Sequence, residues 1–245
     1  MHHLPGLQIP GFDGIYPLSI YTPPGYGQGD RAYPVAYMFD GQNLFFDGGT
    51  QSGGWHLHEA LDRRARLGAT VPVVVGIHHG GATRLEELTP GAFWGRTGRG
   101  AAFLDGVITA LMPQIQADWR ILSGPENTMI GGSSLGGLMA VHGFFQYPEL
   151  FGRAMAMPPA ISGDPSTITD RAAGRDVPAG SRLYLDAGAH EGWDMLDVVT
   201  RFVDHLETIG FTAGPDLMWF PDAEGDHSET TWRRHVPAAL DFLYD

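Results

Sequence analysis

The sequence predicts an α/β fold with a mostly parallel central sheet, and two patterns carry that prediction. Apolar runs bounded by Gly and Pro alternate with amphipathic stretches from end to end, as strands and crossover helices do when they take turns along a chain. The run at residues 71–77 (VPVVVGI) is apolar at both alternating positions, which suits a strand covered on both faces in the middle of a sheet. The length agrees, since 245 residues can bury a full core without disulfide or metal staples. We therefore expect residues 1–245 to form one domain, with helices flanking the sheet and no separate cap domain.

The elements follow in order. Residues 15–21 read as an early strand closed by the turn-rich Thr22-Pro-Pro-Gly-Tyr-Gly27, and residues 33–40 (YPVAYMFD) as a second strand. Residues 55–66 read as a helix before the strand at 71–77. Residues 102–117 place Phe103, Leu104, Val107, Ile108, Leu111, Met112 and Ile115 on one helical stripe, and Pro113 is expected to kink or end that helix. Further strands are expected at 127–131, 153–157, 183–186 and 217–220. A helix over 194–209 stops at Gly210, and a last one over 230–243 holds Pro237, which predicts two short pieces.

Composition excludes several classes of function. There is no Cys, hence no disulfide framework, thiolate nucleophile, zinc finger or Fe–S cluster, and a nucleophile has to be Ser, Thr, Lys or a carboxylate. Fifteen basic against 28 acidic side chains give a net charge of −13, and the sequence shows no basic cluster that would hold a phosphate backbone, so neither nucleic acid nor an acidic membrane is expected as a partner. No stretch reaches the ~20 apolar residues of a membrane span. The first residues, MHHLPGLQIPGFDG, have neither a basic nor an apolar signal region, so a cytoplasmic protein is expected, although a mature secreted chain given a new Met would read the same.

The sharpest motif is Gly132-Ser-Ser-Leu-Gly136, a G-x-S-x-G set between an apolar strand and the apolar stretch LMAVHGFF. A serine nucleophile on such an elbow needs small residues two positions to either side, because the turn is strained and neighbouring chain passes close. Ser134 would stand at the strand's C-terminal edge, with the Leu135 N–H at a helix N-terminus facing a developing oxyanion. A phosphate-binding loop does not fit, since no Gly-Lys-Ser/Thr follows.

Folds built around this elbow run in the order Ser, acid, His. His227, expected on a polar loop (Asp222-Ala-Glu-Gly-Asp-His-Ser-Glu-Thr-Thr-Trp232) after an apolar strand and ahead of the last helix, is the expected base, with His235 inside that helix as the alternative. His142 and His205 lie within amphipathic helices, where packing is the ordinary role. For the acid, Leu183-Tyr-Leu-Asp-Ala-Gly-Ala-His-Glu-Gly-Trp-Asp194 offers three choices: Asp186 at the strand end, Glu191 past the turn at Gly188, and Asp194, which could instead cap the next helix. Glu191 is best placed to reach the imidazole and hold its tautomer. The second oxyanion donor is expected in the loop Asp40-Gly-Gln-Asn-Leu-Phe45, where Gly41 lets the chain turn so that the Gln42 N–H points at the substrate oxygen.

With these residues in view, the chain resembles the esterase family of α/β-hydrolases that takes in enterochelin esterases, feruloyl and acetyl-xylan esterases, S-formylglutathione hydrolases (esterase D) and mycolyltransferases. The likeness runs through Tyr21-Thr-Pro-Pro-Gly-Tyr26, Phe39-Asp-Gly-Gln-Asn-Leu-Phe45, Arg84-Leu-Glu-Glu-Leu-Thr-Pro90, the elbow, Tyr147-Pro-Glu-Leu-Phe-Gly152 and His227-Ser-Glu-Thr-Thr-Trp232. It implies an α/β-hydrolase fold and a serine esterase that needs no cofactor, and its Gly-x-x-acid pattern falls on Gly188-Ala-His-Glu191. The chain departs from the family at Pro158, where many relatives have Ser, and at Gly76-Ile-His-His79. The missing cysteine sets it apart from the formylglutathione branch.

A small-molecule ester is thus the expected partner, cleaved by a Ser134, His227 and Glu191 triad, and the oligomeric state stays open. An acyltransferase using the same triad with an alcohol or sugar acceptor, and a non-catalytic binding member of the fold, are the alternatives. His78, Trp94 and Trp193 are candidate substrate-binding residues, with Phe93 and Trp232 as further candidates for an aromatic wall, although large aromatics are mostly core. Residues 80–100 are long enough for a small lid. No metal site is expected: His56 and His58 on a helix would face about 200° apart, and the adjacent His78 and His79 would point to opposite faces of a strand. Arg84 is expected to pair with Glu86 or Glu87.

Overall fold

The computed structural model describes residues 1–50, 52–93, 95–161 and 179–245. The strands are β1 (His2–Gln8), β2 (Ile15–Tyr21), β3 (Val35–Phe39), β4 (Val73–Ile77), the short hairpin β5 (Ala92–Phe93) and β6 (Arg96–Thr97), β7 (Thr128–Ser134), β8 (Arg153–Pro159), β9 (Arg182–His190) and β10 (Leu217–Asp226). Among them run α1 (Leu57–Arg66), α2 (Arg84–Glu87), α3 (Gly100–Gly106), α4 (Met112–Asp118), α5 (Leu135–Gln146), α6 (Met195–Thr208) and α7 (Glu229–Tyr244). Eight strands form one sheet in the order β1-β2-β4-β3-β7-β8-β9-β10. The β1/β2 and β2/β4 pairs are antiparallel, and every pair from β4 to β10 is parallel.

Side-chain alternation along the strands builds two cores. In β3, Val35, Tyr37 and Phe39 point to the face covered by α3 to α6, while Ala36 and Met38 point to the face covered by α1 and α7. All five residues of β4 are buried, as expected of a strand covered on both sides. The parallel strands thus end along one edge, where connecting segments can present side chains to a common site.

Four expectations need correction. The N-terminal edge strand β1 has no counterpart in the sequence reading. The stretch 102–117 is not one regular α-helix: a π-helical segment, Val107–Leu111, joins α3 to α4. Pro113 lacks an N–H and its ring would crowd the carbonyl four residues back, and the widened π turn just ahead accommodates both. Conversely, α7 runs unbroken through Pro237, which lies on its exposed side, where water can serve the carbonyl left without a donor. Finally, β10 continues to Asp226, so the segment carrying His227 is a strand end with almost no loop.

Candidate active site

The G-x-S-x-G stretch forms the junction of β7 and α5. Ser134 adopts φ 57° and ψ −119°, a region that non-glycine residues avoid at a cost of about 1–3 kcal/mol. The strain is tolerated because chain packs against chain: a Cβ on Gly132 would stand 2.8 Å from the carbonyl carbon of Gly136. The Ser134 carbonyl accepts from the Ala160 N–H at 2.9 Å, tying the turn to the end of β8. Leu135 is the first residue of α5, where N–H groups lack intrahelical acceptors.

The second strand end lies beside it. After β3 the left-handed turn falls on Asp40 (φ 56°, ψ 46°) rather than on Gly41, and Gly41–Asn43 forms a single 3-10 turn closed by the Asn43 N–H donating to the Asp40 carbonyl at 2.9 Å. Among the described residues the Gln42 N–H has no backbone acceptor. Arg84 grips Asp40 with two bonds, Nε to Oδ1 at 2.8 Å and Nη2 to Oδ2 at 2.7 Å. Burial works against the guanidinium charge, and Asp40, with Glu229 adding to it, outweighs that effect and raises its pKa. The pairing of Arg84 with Glu86 or Glu87 is therefore wrong: Glu86 meets Arg99, and Glu87 accepts from Tyr16 Oη at 2.9 Å and the Gly80 N–H at 2.8 Å. Asn43 Nδ2 donates to Glu229 Oε1 at 3.3 Å, joining this loop to the first turn of α7.

The three candidate acids separate cleanly. Glu191 Oε2 lies 2.6 Å from His227 Nδ1, and Glu191 Oε1 accepts from the Gly188 N–H at 3.0 Å, so both oxygens of a carboxylate only 1% exposed are held. Asp186 is taken by another partner: its Oδ2 lies 2.8 Å from His235 Nδ1 and accepts from Tyr184 Oη at 3.3 Å. His235 spends its second nitrogen on Asp222 Oδ2 at 2.8 Å. Asp194 is exposed at the head of α6 and makes no side-chain cap. The Glu191–His227 approach depends on the tips of β9 and β10 touching, since a Cβ on Gly188 would stand 2.2 Å from the Gly225 carbonyl oxygen. Among the described residues no hydrogen bond joins Ser134 Oγ to His227. Resting hydrolases often hold that contact loose until substrate binds.

A family model described as "Putative esterase" matches residues 11–243. The chain belongs to this esterase family. It is a carboxylic ester hydrolase with an α/β-hydrolase fold. It is 25% identical over 240 residues to the uncharacterized protein YbbA of Bacillus subtilis (strain 168), covering 92% of this chain and 91% of that one. Among solved structures, the BES protein from Bacillus cereus superposes with a TM-score of 0.77 at 20% identity, over 98% of this chain and 93% of that one. The siderophore hydrolase EstA from Aspergillus nidulans does so with a TM-score of 0.72 at 20% identity, over 99% and 93%. At these identities the superpositions establish a shared fold.

Beyond the ends of the esterase's β3 and β4, a cavity of about 330 Å³ is lined by Ser19, Gln42, Phe45, Phe46 and His78, among others, and by neither Ser134 nor His227. His78 Nε2 lies 2.8 Å from Ser19 Oγ, and burial lowers its pKa, which favours neutral imidazole. Trp193 is 65% exposed and meets the His227 ring edge-on at 6.4 Å. Trp232 is buried and meets the same ring at 5.2 Å, so it supports the histidine from within, and Phe93 is buried too. Trp94 lies outside the described residues. Residues 81–97 include α2 and the β5/β6 hairpin, a structured excursion in place of a plain loop.

The histidine geometry also differs from expectation. His56 precedes α1 with φ 49°, and its ring sits 6.0 Å from that of His58 instead of facing away. Its nitrogens bond to Asp47 at 2.8 Å and Glu59 at 2.9 Å. Among the described residues no group of three or more His, Cys, Asp or Glu is arranged to hold a metal, and no helix is long and apolar enough to cross a membrane. Arg63, Arg64, Arg66 and Arg233 line one groove between α1 and α7, a basic cluster that the sequence reading did not find. Arg64 there is neutralised by Asp241 and Asp245. Sequence reasoning also missed Glu229 and the Asp40–Arg84 pair, whose partners lie far apart in the chain.

Proposed function

We propose that the esterase cleaves small-molecule carboxylic esters through an acyl-enzyme on Ser134. His227 Nε2 takes the Ser134 proton as Oγ attacks the acyl carbon, and the Gln42 and Leu135 N–H groups stabilise the tetrahedral oxyanion. The C–O bond to the alcohol breaks as His227 returns the proton to the leaving oxygen. His227 then draws a proton from water as the water oxygen attacks the acyl carbon, the bond from that carbon to Ser134 Oγ breaks to release the acid, and His227 passes the proton back to Oγ. Glu191 holds the tautomer with Nδ1–H toward itself and stabilises the imidazolium of each step. The cavity beside Gln42, with His78 in its wall, is of a size to take one arm of the ester, and Trp193 flanks the base on the open side.

The observation that carries this reading is the 2.6 Å Glu191–His227 contact, with His227 still 27% exposed, on the same sheet edge as the strained Ser134. The test is fluorophosphonate labelling with peptide mapping, alongside the Ser134→Ala variant. The label is expected on Ser134, and the substitution should lower kcat at least about 10³-fold. Unlabelled Ser134, or a variant as active as wild type, would overturn the reading.

A further inference from the structure

We propose that Glu229 is a positioning residue: through Asn43 it fastens the loop bearing the Gln42 N–H to the helix turn that follows His227, so that oxyanion donor and base hold one geometry. The proposal rests on the acyl-enzyme reading above. Glu229 is 5% exposed, an unusual place for a carboxylate, and its Oε1 accepts from Asn43 Nδ2 at 3.3 Å across 186 residues of chain. It is the first residue of α7, two beyond His227, and Ser228 caps the helix by accepting the Thr231 N–H at 3.3 Å. A carboxylate here also complements the N-terminal end of the helix dipole.

On the other side, Asn43 is bound into the oxyanion loop at both backbone groups. Its N–H donates to the Asp40 carbonyl at 2.9 Å and its carbonyl accepts from the Trp55 N–H at 2.8 Å. Asp40 is gripped by Arg84 and lies against the elbow, since a Cβ on Gly136 would meet Asp40 Oδ2 at 3.2 Å. Trp55 in turn packs edge-on against Trp232, the ring behind His227, at 5.9 Å. One connected set of side chains therefore spans the nucleophile turn, the oxyanion loop and the base. Asn43 to Glu229 is the hydrogen bond that joins residues 41–43 to the first turn of α7, while Thr230 Oγ1 to the Ser52 carbonyl at 3.0 Å and Arg233 Nε to the Gly54 carbonyl at 2.9 Å tie the chain just beyond to the same helix. Ester hydrolysis is sensitive to such registration, because displacing a catalytic group by about 1 Å costs about 10²-fold in rate.

The test exchanges the two groups. Asn43→Asp sets two carboxylates against each other and should lower kcat about 10- to 100-fold with KM within about threefold of wild type. Adding Glu229→Gln restores an amide facing a carboxylate, and the double variant should regain kcat to within about threefold of wild type. A part that only stabilised the fold would change the melting temperature and leave kcat of the folded enzyme alone. If the double variant is no faster than Asn43→Asp, the proposal is wrong. Should Asn43→Asp not fold, the isosteric Glu229→Gln decides: kcat about three- to tenfold down at an unchanged melting temperature supports the link, and an unchanged kcat overturns it. Fluorophosphonate labelling of wild-type Ser134 separates the outcomes, since a labelled Ser134 with no recovery in the exchange defeats the positioning role alone.

Discussion

Two histidine–carboxylate clusters are built from the same two stretches of chain, and they differ in what their second nitrogen does. His227 and Glu191 sit one residue beyond the ends of β10 and β9, with the imidazole 27% exposed and no protein acceptor on Nε2 among the described residues. His235 and Asp186 lie deeper, with the imidazole 4% exposed and both nitrogens bound, to Asp186 and to Asp222. A histidine clamped between two carboxylates has no free nitrogen to trade protons with a substrate. The open pair is chemically available and the closed pair is mortar between α7 and the sheet, so pairing alone does not identify a base.

The sharpest way to break this contrast is to neutralise each acid in turn. Glu191→Gln should lower kcat about 10³- to 10⁴-fold with little change in melting temperature, by leaving the wrong tautomer in place. Asp186→Asn should leave kcat of the folded enzyme within about threefold, since no reacting group touches it. The reverse ranking in steady-state assays would move the catalytic role to the buried pair. Next in size, His235→Leu strips Asp186 of its main partner and should destabilise the fold by about 3–5 kcal/mol in denaturant titrations, while the kcat of the molecules that remain folded stays near wild type.

The smallest effect concerns pH. Burial pushes Asp186 up to about 6 from 3.8. For His235, burial opposes protonation, and the facing carboxylates outweigh it and raise its pKa above 6.5. Both shifts leave the folded state holding more protons than the unfolded one, so this cluster's contribution to stability falls as pH rises from about 4 through 6.5 and beyond. Melting curves across that range should show Asp186→Asn gaining on wild type with rising pH, and a constant offset would contradict the assigned directions.

Much of this was legible from sequence wherever a local pattern has one physical cause. The G-x-S-x-G spacing reports a close crossing that the Gly132–Gly136 contact displays, and VPVVVGI reports a strand covered on two faces. What escaped lacked such a pattern. The strand β1 contains Pro5 and Gly6 and buries little, so it shows no alternation. The outer half of β10, Pro221 to Asp226, is mostly exposed beyond the core, and its polar residues read as loop. His235 shows helical spacing in sequence, and only the fold sets Asp186 and Asp222 on either side of it. Arg84 has glutamates two and three residues away, yet its partner is Asp40, 44 residues off, because the left-handed turn after β3 aims that carboxylate at it.

The contact between Gly188 and Gly225 has a consequence for how such an enzyme can diversify. Glu191 and His227 follow directly on strands whose tips are pressed together, so the contact between them is set by the sheet before any loop begins. The segment that follows Glu191, which carries Trp193, can then lengthen, shorten or exchange its aromatic side chain without moving that pair. On the proposed mechanism, a lineage can change what it cleaves and keep how it cleaves.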